Sequence, residues 1–325
     1  MAASAHAETS PQPAPQIKIL SEIAVGGEGS WDYASLDASR RALYVAHNAH
    51  LVRIDLNSGQ VAAQFADSNG AHIALPLPGA RALLLTQGAA NKASFIDADT
   101  GKLIASLDTA SKPDGAIYDP ASARAFVLDN AGAEVDVIDP AAMTITSRIA
   151  VPGAPEGSAT DGGGLVFTHL EDKNKLVVLD ADKLAVKAVY PLDGCESPSG
   201  MAYIDGRAMV LSACDNGVAR LTDTRTGAAV ATLAIGEGPD GAVYDARREL
   251  AYIPCRDGTL SVITLNGAPR VIQTLKTIPG ARTIALDPDS GRIYIPVADL
   301  APASEAGGKP DIIPGSFRIL VAGTQ

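Results

Sequence analysis

Seven positions, spaced almost evenly along the chain, carry side chains that could act together. They are Asp32, His72, Asp114, Glu156, Ser199, Asp240 and Arg282, at intervals of 40, 42, 42, 43, 41 and 42 residues. Four carboxylates and an imidazole make a cation-binding donor set. Imidazole with carboxylate suits Zn2+, whereas carboxylates supplemented by carbonyls and water suit Ca2+. His72 and Glu156 break the preference for Asp at this position and so say most about a ligand. With Asp114 and His169 they form the candidate metal set. A bound divalent ion would activate water or polarise a carbonyl, the chemistry of a metal-dependent hydrolase or lyase. The competing reading is structural. Asp in a Pro-Asp-Gly turn, as at Asp114 and Asp240, can accept bonds from nearby backbone N–H groups and fix the loop.

A second set ends the β-rich run that follows each of these turns: His47, Gln87, Asp129, His169, Ser212, Cys255 and Val297. His47, Asp129 and His169 from this set join the candidate ligand-binding residues. Other chemistries have less support. There is no H-E-x-x-H and no G-x-S-x-G. Gly236–Gly241 spells G-x-G-x-x-G, but the strand-like AVYD follows it, so no helix N-terminus is offered to a pyrophosphate. Cys255 could serve as a nucleophile only beside a histidine.

The elements that must position these residues form a repeat of about 42 residues. The PDG-like turn opens a short alternating run. Then come a polar turn, a β-rich run such as RALYVAH or ELAYIPC, a third run such as EVDVIDP, and a fourth such as GKLIASL. The runs are short, β-branched and separated by Gly, Asn and Asp. Four strands repeated seven times make an all-β, seven-bladed β-propeller. A lone blade cannot bury both faces, but blades stacked around an axis can. The seventh repeat supplies GARTIALD, RIYIPV and SFRILVAG and lacks a fourth strand. Residues 17–25, IKILSEIAV, are expected to complete it as its outermost strand and close the ring. In this geometry the PDG positions circle one mouth of the central channel, here called the top. Residues 300–315 interrupt the last blade and are expected to overhang that mouth. His47 and His169 belong to blades one and four, too far apart for one ion if they face each other across the channel.

The pattern P-D-G-[AV]-x-x-D, a strand ending near Y-[IV], then V-x-[VI]-[ID]-x-x-T resembles the YVTN repeat. Its best copies here are PDGAIYDPASARAFVLDNAGAEVDVIDPAAMTI and PDGAVYDARRELAYIPCRDGTLSVITL. From about residue 17 to 325 the chain is similar to YncE-like seven-bladed propellers of bacterial periplasms. The resemblance implies fold more than function, since such proteins are binding proteins, partner subunits and a few enzymes. Gluconolactonase-type propellers bind a divalent ion at the channel mouth. This chain lacks their sequence pattern, so a lactonase-like activity rests on architecture alone.

The net charge of −11 disfavours nucleic acid as a partner, because an acidic surface repels phosphate backbones. No apolar run of about 18 residues exists to span a membrane. The first 16 residues, MAASAHAETSPQPAPQ, read as a signal-peptide remnant and Pro-rich linker. Ala5-His6-Ala7 matches an A-x-A cleavage site without the apolar segment that should precede it; the other reading is an Ala-rich tail. A periplasmic or secreted location follows from the first reading. Of three cysteines, Cys195 and Cys214 both fall in top-face loops of blade five. They are expected to pair if their Cα atoms lie within about 7 Å, leaving Cys255 free. The expectation for function is a propeller that binds a small molecule, a divalent ion (Zn2+ or Ca2+) or a protein at the top mouth. The alternative is a metal-dependent hydrolase or lyase using the same site.

Overall fold

Each repeat folds into one antiparallel sheet of four strands in the computed structural model, which describes residues 16–47, 49–303 and 310–324. Blade 1 comprises Trp31–Asp37, Ala42–His47, His50–Asp55 and Val61–Asp67, from the axis outward. Blades 2 to 6 repeat this order, their inner strands being Ala71–Pro76, Pro113–Asp119, Pro155–Thr160, Pro198–Ile204 and Val243–Asp245. Burial follows position in the blade. Second strands such as Leu250–Cys255 are buried at every residue, because neighbouring blades cover both faces. Outer strands such as Leu103–Asp108 alternate between exposed and half-buried.

Seven apolar clusters hold the ring together, each shared by two adjacent blades. The turns between third and outer strands are fixed by the Asp that ends the third run. Asp97 accepts the N–H groups of Asp99 and Thr100, and Asp223 those of Arg225 and Thr226.

Closure occurs where the seventh repeat falls short. Blade 7 is built from Ala285–Leu286, Ile293–Val297 and Arg318–Gly323, with Lys18–Ala24 as its outermost strand. Lys18 pairs with Gly323 and Ala24 with Arg318. The Gln273 side chain, from blade 6, clamps both the N–H and the carbonyl of Ile17 at 3.0 and 2.8 Å. The first and last strands of the described residues thus share one sheet, and no open seam among these residues exposes a blade face.

The insertion begins and ends as a small ladder, Leu300–Ala301 against Asp311–Ile312; its residues 304–309 lie outside the described residues. Phe317, just after it, stacks on His47 at 4.0 Å and seals blade 7 against blade 1. Cys195 and Cys214 form a disulfide with their Cα atoms 5.3 Å apart, and Cys255 is free and buried. Among the described residues no helix is long and apolar enough to cross a membrane. The A-x-A match and the rest of residues 1–15 lie outside the described residues.

Candidate functional site at the top mouth

The PDG turns are bulges. Ladder pairing shifts between Trp31 and Ala34, Ala71 and Ala74, Pro113 and Ala116, and Pro198 and Met201. A bulge frees the intervening residues from the ladder and re-aims their side chains. In this way Asp32, His72, Asp114 and Ser199 reach the channel mouth and its walls, whereas Asp240 and Arg282 stand just before the inner strands of blades 6 and 7. They do not form one uniform ring.

One half gathers Asp32, His72 and Asp114, whose ligating atoms all lie within 4.8 Å of one another. His72 Nδ1 stands 2.6 Å from Asp32 Oδ2 and 3.3 Å from Asp114 Oδ1. Asp114 is 5% exposed. Among the described residues its carboxylate receives no hydrogen bond, only the ionic contacts of His72 and of Lys112 Nζ at 3.6 Å. The turn-fixing role open to this residue is therefore not what it plays. Burial pushes its pKa up to about 6, against the pull of His72. Burial lowers the His72 pKa, but the bond to Asp32 and the charges of Asp114 and Asp32 outweigh it and leave it raised. The imidazole fits because residue 88 is glycine, where a Cβ would sit 2.5 Å from His72 Nε2.

The other half is built on Asp240, which takes Arg282 Nε at 2.9 Å and Arg256 Nη2 at 3.2 Å. Arg282 also donates from Nη2 to the Trp31 carbonyl and lies over the indole, 5.1 Å from its centroid. Asp240 too is held by side chains rather than by its turn. Ser199 Oγ donates to the Pro239 carbonyl at 2.8 Å and ties blade 5 to blade 6.

Between the halves, Tyr33 reaches from blade 1 to blade 4 and donates to Glu156 Oε1 at 2.9 Å, while Asn130 Nδ2 donates to Oε2 at 3.1 Å. Burial, then the charges of Asp114 and Asp240, push the Glu156 pKa well up. Burial does the same to Tyr33, reinforced by Glu156. The wall beneath is backbone. Gly157 has φ +60°, and a Cβ there would meet the Ser199 carbonyl oxygen at 1.9 Å.

Three of the expected ligand residues lie elsewhere. His47 is buried against Phe317, and burial lowers its pKa. Asp129 is wholly buried on the face of blade 3 that packs on blade 2, beside Asp136, which pairs with Arg148 Nε at 2.8 Å. Neither Asp129 oxygen has a well-formed hydrogen bond among the described residues. Burial, then the Asp136 and Glu134 charges, push it up to about 8. His169 is wholly buried with Nε2 2.8 Å from Ser212 Oγ, and burial lowers its pKa to about 3.

The candidate metal set of His72, Glu156, Asp114 and His169 is thus not assembled. Asp32 replaces Glu156 and His169 in the group around His72 and Asp114. The ends of the second strands face neighbouring blades rather than the channel, and register decides which blade. Pro113 pairs with Asp129, but Pro155 pairs with Leu170, so blade 4 is one residue shorter at this point. A one-residue step turns a strand side chain to the opposite face, and His169 therefore points toward blade 5. In blade 5 the equivalent position is Cys214, paired with Pro198, rather than Ser212.

Tyr33, Lys112, Asn130 and Arg256 are the mouth residues that sequence reasoning missed. Tyr33 left a trace, standing in SWDYASLD where the PDG copies have glycine.

A cavity of about 280 Å3 is lined by Asp32, His72 and Arg282, among others. A separate cavity of about 170 Å3 is lined by residues that include Tyr33, Gly115, Gly157 and Gly241.

Comparison with known proteins adds to the fold. No protein-family model matches the chain, and no curated protein does. Among solved structures 1815 chains match, so the architecture is shared very widely. One of them, from the crystal structure of a mitotic checkpoint complex, aligns with a TM-score of 0.77 over 99% of this chain and 98% of its own, at 11% identity. At that identity the likeness is one of fold alone.

Proposed function

We propose that this protein is an exported, YVTN-like propeller that binds a small ligand at its top mouth through a divalent cation held by Asp32, His72 and Asp114. The observation that carries the reading is the convergence of one imidazole nitrogen and two carboxylates within 4.8 Å. Asp114 adds weight, since it is buried at the cost of desolvation and receives no hydrogen bond in return. The mixed nitrogen and oxygen donors suit Zn2+ better than Ca2+, which takes six to eight oxygens. Three protein ligands leave one tetrahedral position for water or a ligand. Export is supported by the Cys195–Cys214 disulfide, since such bonds persist in oxidising compartments.

A second reading, metal-dependent hydrolase or lyase, is favoured by the Tyr33–Glu156 pair beside the cation site. Burial favours the protonated form of both groups, so the pair could deliver a proton to a leaving group near the ion.

The test is calorimetric titration of chelator-treated protein with Zn2+ at pH 7.5, beside elemental analysis. One ion per chain is expected, and the double variant His72→Ala, Asp114→Asn should lose it. Failure of the wild-type chain to bind Zn2+, Mn2+ or Co2+ would overturn the reading.

A further inference from the structure

We infer that the ligand taken by the loaded site is a small oxyanion, a carboxylate or a phosphate, held between the cation's open position and the guanidinium of Arg282. This inference rests on the cation reading and adds the charge and class of what the cation binds.

Asp32, His72 and Arg282 line one cavity of about 280 Å3, together with Ser30 and Asn69. That volume suits a small acid. A ligand on an ion held by Asp32 and His72 would share this cavity with the guanidinium.

Arg282 is held from three sides. Nε is fixed by Asp240, Nη2 by the Trp31 carbonyl, and the plane by the indole beneath it. Nη1 has no partner among the described residues, and the side chain is 19% exposed. An arginine held in place in this way loses little side-chain entropy when an anion arrives. Its planar donors match carboxylate and phosphate oxygens.

A bound divalent ion cancels Asp32 and Asp114. Asp240 offsets one of the two arginines that hold it, so the second arginine and Lys112 remain. An ionised Glu156 would remove only one of those two charges. Among the groups in direct contact with the ion's ligands and with Asp240 the balance is therefore positive, inside a protein whose formal charge is −11. Such a local field selects a small anion, and the acidic surroundings reject a polyanion that would extend beyond the mouth.

The experiment loads the intact chain with Co2+ and follows its visible spectrum, which changes when a new ligand enters the coordination sphere. Malonate and inorganic phosphate are titrated separately, to tell a carboxylate source from a phosphate source. Both should perturb the wild-type spectrum, the tighter one naming the class. A charge-assisted hydrogen bond is worth about 1.5–3 kcal/mol, so Arg282→Gln should weaken anion binding by about tenfold or more. Its Co2+ affinity should change by less than about threefold. Arg282→Lys keeps the charge near Asp240 and should fall between the two, which covers the case of a misfolded glutamine variant. Two results would overturn the inference while leaving the cation reading intact: Co2+ binding with no response to either anion, or equal anion affinity in wild type and both variants. Absence of Co2+ binding by wild type would remove the cation reading, and this inference with it.

Discussion

Asp129 offers the sharpest quantitative test of the electrostatics. It is wholly buried between blades 2 and 3, its oxygens lack well-formed hydrogen bonds among the described residues, and Asp136 lies beside it with the one nearby arginine already engaged. Its pKa is pushed from the ordinary 3.8 to about 8, by burial first and then by the Asp136 and Glu134 charges. The native state therefore holds a proton that the unfolded chain releases near pH 4. Stability is complete below that point, falls as pH rises through the window from about 4 to about 8, and is level above it. Four units at about 1.4 kcal/mol each give an upper limit of about 6 kcal/mol, and relaxation or entry of water reduces it to about half. Asp129→Asn mimics the neutral acid and removes the loss. At pH 5 the variant should match wild type, within about 1 kcal/mol. At pH 9 it should be more stable by about 3–6 kcal/mol. Urea unfolding followed by Trp31 fluorescence at both pH values reads the difference, with thermal midpoints as a check. A wild-type stability that is flat from pH 5 to 9, or an Asn variant that is less stable at pH 9, would show that Asp129 is ionised and satisfied in the native state.

Three further outcomes are expected. Removing the Cys195–Cys214 disulfide, which closes a loop of 19 residues, should cost about 3 kcal/mol by the chain-entropy estimate; thermal melts of the double alanine variant check it, and an unchanged midpoint would count against the bond as a stabilising link. Gly88→Ala should push His72 away from Asp32, since the new Cβ would lie 2.5 Å from Nε2; a Zn2+ titration should show at least about tenfold weaker binding, with a melting midpoint near that of wild type. Tyr33→Phe leaves one oxygen of buried Glu156 without its partner, a cost of about 1–3 kcal/mol, read as a lower urea midpoint; no loss would mean that the cross-channel bond contributes nothing.

The repeat period alone determined the architecture of this chain. A side chain every 42 residues or so can only be served by seven equivalent units, and units that cannot bury their own faces must stack. The missing fourth strand of the last repeat and the homeless run at residues 17–25 then had one solution, which Lys18–Ala24 beside Arg318–Gly323 realises. The period also delivered Asp32, His72 and Asp114 to one mouth, and blade topology delivered Cys195 to Cys214. Tertiary structure decided what the period treats as equal. A ring of similar positions split into a cation-like half and an arginine half because side-chain reach, not spacing, chooses partners: Asp240 found Arg282 and Arg256, while Asp114 found His72 and Lys112. One residue fewer before Leu170 turned His169 toward blade 5, where it meets Ser212. Asp129 went the same way as its buried face, between blades rather than toward the axis. A linear repeat records which residues occupy equivalent places. Strand register and packing, which depend on single-residue steps and on neighbours far away in the chain, settle where each side chain points and what it meets.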